Sequence, residues 1–148
     1  MKISILKYTL FMLILGLVAC DEEANVPEDE SQAKALAGPW SMGSNSQVLR
    51  DGTDITSQYG DFSIVFTEQF GYFVSGDPNN LLQPEGTWAY AEGSFTSILL
   101  NGDERPINVV HSDDGSALTI TFSNDTNVPI GARTAGISGS YTFVLKKG

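Results

Sequence analysis

Apolar and polar residues alternate with a period of two over most of the chain beyond residue 36. Phe62, Ile64 and Phe66 fall on one face while Ser63, Val65 and Thr67 fall on the other. Leu118, Ile120 and Phe122 alternate with Thr119, Thr121 and Ser123, and Tyr141, Phe143 and Leu145 repeat the scheme near the end of the chain. Successive side chains of a strand point to opposite faces of its sheet, so this alternation marks half-buried strands. It predicts strands near 39–45, 46–50, 62–67, 70–75, 86–91, 95–100, 105–112 and 117–123, with a closing strand at 139–146. No window of ten or more residues sustains a 3.6-residue apolar period, so an all-β fold is expected.

Turn chemistry divides the strands into hairpins. Asp51-Gly52, Asn101-Gly102 and Asp114-Gly115 each sit between strand-like runs, and glycine tolerates the positive φ of tight hairpin turns. A looser connection runs through Gly76-Asp77-Pro78-Asn79-Asn80. Short strands, hairpin turns and no helices predict a small antiparallel up-and-down β-barrel of about eight strands, with a flattened barrel or sandwich as the alternative.

The first nineteen residues obey a different rule. Lys2 and Lys7 precede an almost wholly apolar stretch from Leu10 to Val18, and small Ala19 comes before the only cysteine, Cys20. This is how a secretory signal is built. The run is shorter than the roughly 20 apolar residues a spanning helix needs, and Asp21-Glu22-Glu23 follows at once. Leu17-Val18-Ala19-Cys20 resembles the bacterial lipobox. That resemblance implies a signal peptide over 1–19, diacylation of the Cys20 thiol (a palmitate-type anchor), and a mature lipoprotein beginning at Cys20. Two acyl chains hold a protein stably where one binds only marginally. A lone cysteine also forms no internal disulfide, so the exported domain depends on its core.

Loss of residues 1–19 removes two lysines and no acid, taking the formal charge from −10 to −12. That balance argues against nucleic acid and anionic lipid, both of which demand a basic patch. Residues 20–35 contain six acids and no large aromatic, too little apolar surface to offset ordering entropy, and are expected to form a disordered tether. The acids beside Cys20 are similar to the export signal of surface lipoproteins in Bacteroidota-type bacteria. The similarity implies an outer-membrane, surface-exposed location, although an aspartate after the cysteine favours inner-membrane retention in other systems. Residues 36–148 then form one domain with a single core.

Gly38-Pro39-Trp40, opening the first strand, and Gly86-Thr87-Trp88 match the Gly-x-Trp of lipocalins. Together with Asp51 to Thr56, Tyr59, Phe62 to Thr67, and Arg133 followed by Gly136, Gly139, Tyr141 and Phe143, they resemble lipocalin-like lipoproteins of Bacteroidota. The resemblance covers essentially all of 36–148. It implies a barrel whose base is closed by a late arginine packed over the first tryptophan, which gives structural roles to Trp40, Trp88 and Arg133.

Candidate chemistry is sparse. His111 is the single histidine and lies in register with Ile107 and Val109; one imidazole without cysteine partners makes no zinc site. Asp51 with Asp54, and Asp113 with Asp114, lack the twelve-residue spacing of an EF-hand and read as turns. Glu85, Glu92 and Glu104 border turns or strand ends, where solvent leaves carboxyl acidity ordinary. No enzymatic activity and no cofactor is expected.

Eight-stranded barrels are either packed solid or hollow enough for one small ligand. If Trp40, Phe62, Phe66, Tyr72, Trp88, Tyr90, Phe122, Tyr141 and Phe143 all point inward, little lumen remains and a pocket is confined to the mouth. Two functions follow. One is a binding module for a small apolar or glycan-like ligand, contacted by His111, Leu81, Leu82, Val128 and Ile130, with 76–84 and 124–136 as rims; the alternative for the four apolar loop residues is that they plug the barrel end. The other is an accessory subunit that docks on another envelope protein.

Overall fold

The computed structural model describes residues 28–124 and 138–148. Its strands are β1 (Gly38–Ser41), β2 (Gln47–Arg50), β3 (Thr53–Asp54), β4 (Ser63–Phe66), β5 (Gly71–Ser75), β6 (Glu85–Tyr90), β7 (Ser97–Leu100), β8 (Ile107–His111), β9 (Ala117–Asn124) and β10 (Gly139–Lys147). One helix, α1 (Glu28–Leu36), precedes them, and a single 3-10 turn spans Thr56–Gln58. β4 to β10 pair antiparallel in chain order, and β1 pairs with both β4 and β10, closing an eight-stranded barrel. Closure satisfies the main-chain groups that a sheet edge would leave open. The expected barrel is therefore present, and the sandwich is not.

The early part of the chain fills one place in the wall with two strands. β1 pairs with the end of β10 through Trp40↔Lys147 and Ser41↔Lys146, while β2 pairs with its start through Val48↔Phe143 and Arg50↔Tyr141. Between them the chain turns at Gly43, whose carbonyl accepts from Ser46 N at 3.0 Å and whose N–H donates to Ser46 Oγ at 2.9 Å. β3 adds a two-residue hairpin outside the barrel.

Alternation sends one side chain in two to the core. Trp40, Val48, Phe62, Ile64, Phe66, Tyr72, Trp88, Ile98, Leu100, Ile107, Val109, Leu118, Ile120, Phe122, Tyr141, Phe143 and Leu145 are all buried. Of the nine aromatic residues expected inside, eight are fully buried and Tyr90 packs against them half-buried. Phe62 and Phe143 lie with ring centroids 4.6 Å apart, and Phe122 stacks on Tyr141 at 5.4 Å, separations at which ring pairs attract beyond their buried area.

Successive hairpins alternate between the two barrel ends. One end carries the turns at 67–70, 91–96 and 112–116; the other carries 51–52, 55–62, 76–84 and 101–106. α1 covers the first end, with Ala33 and Leu36 at or below 1% exposure and the Leu36 carbonyl accepting from Trp40 Nε1 at 2.8 Å. This corrects the expected tether: 28–36 is helical, and its last turn belongs to the core. Glu28, Asp29 and Glu30 in the first turn, with Lys34 in the last, complement the helix dipole. Residues 20–27 lie outside the described residues.

Candidate functional site

At the end away from α1, the loop 76–84 folds back over the barrel mouth, and Asp77 shapes it. The Asp77 carboxylate accepts from Leu82 N at 2.9 Å and Asn79 N at 3.3 Å, and its carbonyl accepts from Asn80 N at 3.3 Å. Burial pushes the Asp77 carboxyl up, opposed by those main-chain donors. Asn79 Nδ2 donates to Tyr59 Oη at 2.8 Å, and the Tyr59 ring stands edge-on to Phe143 at 5.3 Å. Burial raises the Tyr59 hydroxyl to about 12, against the lowering effect of the Asn79 bond.

Folded this way, the loop turns Leu81 and Leu82 inward, at 0% and 3% exposure. Of the two expectations for them, ligand contacts on a rim or a plug for the barrel end, their burial beside Tyr59 in the core matches the plug.

Among the described residues at this end, one cleft is polar. A cleft of about 440 Å³ is lined by Ser57, Gln58, Gly60, Asp61, Gly76, Asp77 and Pro78. Gly76 permits it. Its φ is +66°, and a Cβ there would lie 2.1 Å from the Asp61 carbonyl oxygen, so only glycine lets the two loops touch. The sequence reading passed over Ser57, Gln58 and Asp61; the one available signal was Gly-Asp-Pro opening the loop opposite. Across the same end Arg105 makes a close pair with Asp103 (Nη2 to Oδ2 2.6 Å, Nε to Oδ1 2.9 Å) and reaches buried Asn124 Oδ1 at 3.4 Å.

The remaining candidates do not converge on this cleft. His111 is half-buried at the α1 end, the far side of the barrel from Leu81 and Leu82, so they form no common site. Its ring meets Trp40 edge-on at 5.6 Å. Burial lowers the His111 imidazole, and Lys147 lowers it further. Lys147 Nζ sits 5.4 Å from the Trp40 ring centroid, the distance of a cation–π contact. Among the described residues the cation over Trp40 is thus Lys147; Arg133, expected there, lies outside them, as do Cys20, Val128 and Ile130. Trp88 is buried between Phe66, Phe70 and Tyr90 at centroid distances of 5.8, 4.9 and 5.2 Å.

Chemically the cleft offers hydroxyl, amide and carboxylate groups beside a proline ring. Among the described residues no three His, Cys, Asp or Glu side chains gather into a metal-holding group, and none of the helices is long and apolar enough to cross a membrane. Comparison with known protein families, with curated proteins and with solved structures finds no match to this chain.

Proposed function

We propose that the protein is a lipid-anchored lipoprotein of the cell envelope, held at the outer membrane through acylated Cys20 and displayed at the surface, whose barrel is a non-catalytic binding module. The ligand is glycan-like and neutral, and it binds at the polar cleft. The observation that carries this is the cleft lined by Ser57, Gln58, Asp61 and Asp77 at the end of a barrel whose core holds buried rings. The Asp61 carboxylate, the Gln58 amide and the Ser57 hydroxyl suit sugar hydroxyl groups, the Pro78 ring suits the apolar face of a sugar, and Asp61 with Asp77 repels uronates and phosphates. An apolar ligand along the axis would displace core side chains, each worth about 1.5–3 kcal/mol of burial.

The test has three parts. Labelled palmitate is incorporated into the wild-type chain and not into Cys20→Ser. Protease applied to intact cells cleaves the domain. Neutral oligosaccharides raise the Tm of the mature domain, fatty acids and haem do not, and Asp61→Asn with Gln58→Ala abolishes the shift. A fatty acid that raises Tm would overturn the polar reading.

The accessory-subunit reading has one observation in its favour. Phe73 is 52% exposed on the outer wall, and the cross-strand register places Pro39, Val65 and Phe73 in one row. If Phe73→Ser breaks an envelope complex while sugar binding persists, that reading replaces the first.

A further inference from the structure

α1 is fixed to one end of the barrel by its last turn. Leu36 and Ala33 are buried, with the Trp40 indole N–H bonded to the Leu36 carbonyl. Beside that attachment, Glu30, Ser31 and Lys34 border, with Glu68, Gln69 and Phe70, a groove of about 570 Å³. The helix begins at Glu28, eight residues on from Cys20. Fully extended, eight residues reach about 26–29 Å. A free tether running to Gly38 would reach about twice as far and would leave the barrel to tumble.

Resting on the anchoring reading above, we propose that α1 is an orientation clamp: it turns the end bearing 67–70, 91–96 and 112–116 toward a zwitterionic lipid surface and holds the polar cleft away from it. The chemistry of that end agrees. A file of aromatic rings runs from the core to its tip, Trp88 to Tyr90 at 5.2 Å and Tyr90 to Phe95 at 5.2 Å, with Phe95 39% exposed. Aromatic rings favour the headgroup level of a bilayer. Exposed Glu68, Glu92, Asp113 and Asp114 on the same turns exclude an anionic surface as the preferred one.

The test uses the mature chain with its acyl groups, bound to phosphatidylcholine vesicles that carry an energy-acceptor lipid. Because Cys20 is the only cysteine and acylation blocks it, a thiol introduced by Glu92→Cys at the α1 end or Glu104→Cys at the cleft end takes the donor dye alone. Energy transfer from position 92 should exceed that from position 104 by at least about two-fold, since a tilted nine-residue strand separates the two ends by about 20 Å. Equal or reversed transfer overturns the clamp. Undocking the helix with Ala33→Asp and Leu36→Asp should bring the two signals to parity, with a β-type circular-dichroism spectrum showing that the barrel stands. Should that variant not fold, about 20 Gly and Ser residues inserted after Glu23 should likewise erase the difference, and an undiminished difference in either variant overturns the clamp. Failure of the anchoring reading shows separately, as a purified chain whose mass lacks acyl groups.

Discussion

Asn101 rests directly on Gly86: a methyl group on Gly86 would lie 1.9 Å from Asn101 Oδ1. From that seat the amide ties three segments together. Oδ1 accepts from Thr87 N at 2.8 Å, and Nδ2 donates to Tyr72 Oη at 2.9 Å and to Gln83 Oε1. Asn101 also holds φ at +52°, opening the Asn-Gly turn. Gly86→Ala must therefore evict the amide, and the bonds lost, largely open to solvent, are worth about 0.5–1.5 kcal/mol each. In an Asn101→Gly background the obstacle is gone and Gly86→Ala becomes nearly neutral. Denaturant titration of the four proteins should give a coupling of at least about 1 kcal/mol; additive effects would show that the two residues act separately.

The plug at the cleft end is a second test. Leu81→Ala removes a fully buried side chain and should cost about 2–5 kcal/mol, the usual range for core leucines. Asp77→Ala touches no core atom, yet it strips the acceptors from Leu82 N and Asn79 N and should cost about 1–3 kcal/mol. Amide exchange should quicken across 79–82 in Asp77→Ala. Unchanged protection there would show that the leucines alone hold the loop.

His111 gives a titration free of overlap, because it is the single histidine. Burial and then Lys147 depress its folded pKa below the ordinary 6.5. As pH falls through 6.5 the unfolded chain binds a proton before the folded one does, so stability drops as pH descends to the folded value and is constant from this source above 6.5. NMR should find the His111 transition below 6.5, and Lys147→Gln should move it upward. An unmoved transition would show that burial alone sets it.

At the alkaline extreme the tyrosines act in the opposite sense. Burial raises Tyr59 and Tyr72 to about 12, so between 10 and 12 the unfolded chain releases protons that the folded chain keeps, and stability falls as pH rises. Ultraviolet titration should show these two phenols ionising only as the barrel opens. Early ionisation at 10 would contradict their burial.

Much of the barrel was legible because its local rules agree with its global fold. β9 and β10 show strict alternation, and the turns at Asp51-Gly52 and Asn101-Gly102 hold positive φ at both central residues, as tight hairpins demand. α1 was not legible. It has two inward residues, Ala33 and Leu36, in an acidic nine-residue segment, and it is held by a bond from Trp40 that no helical pattern encodes. The fate of Leu81 and Leu82 was hidden for a similar reason. Two leucines in a polar loop look alike whether they greet a ligand or seal the mouth, and the choice was made by the Asp77 carboxylate four and five residues earlier. The cleft was missed because its walls come from loops far apart in sequence and meet only where Gly76 lets them.

β10 pairs with β9 along Gly139–Lys146, with β2 along Tyr141–Val144 and with β1 at Lys146–Lys147. A nascent chain still lacking these residues has two raw margins and no way to join them, so assembly waits for the final strand. One zipper-like segment then joins the two margins into a cylinder.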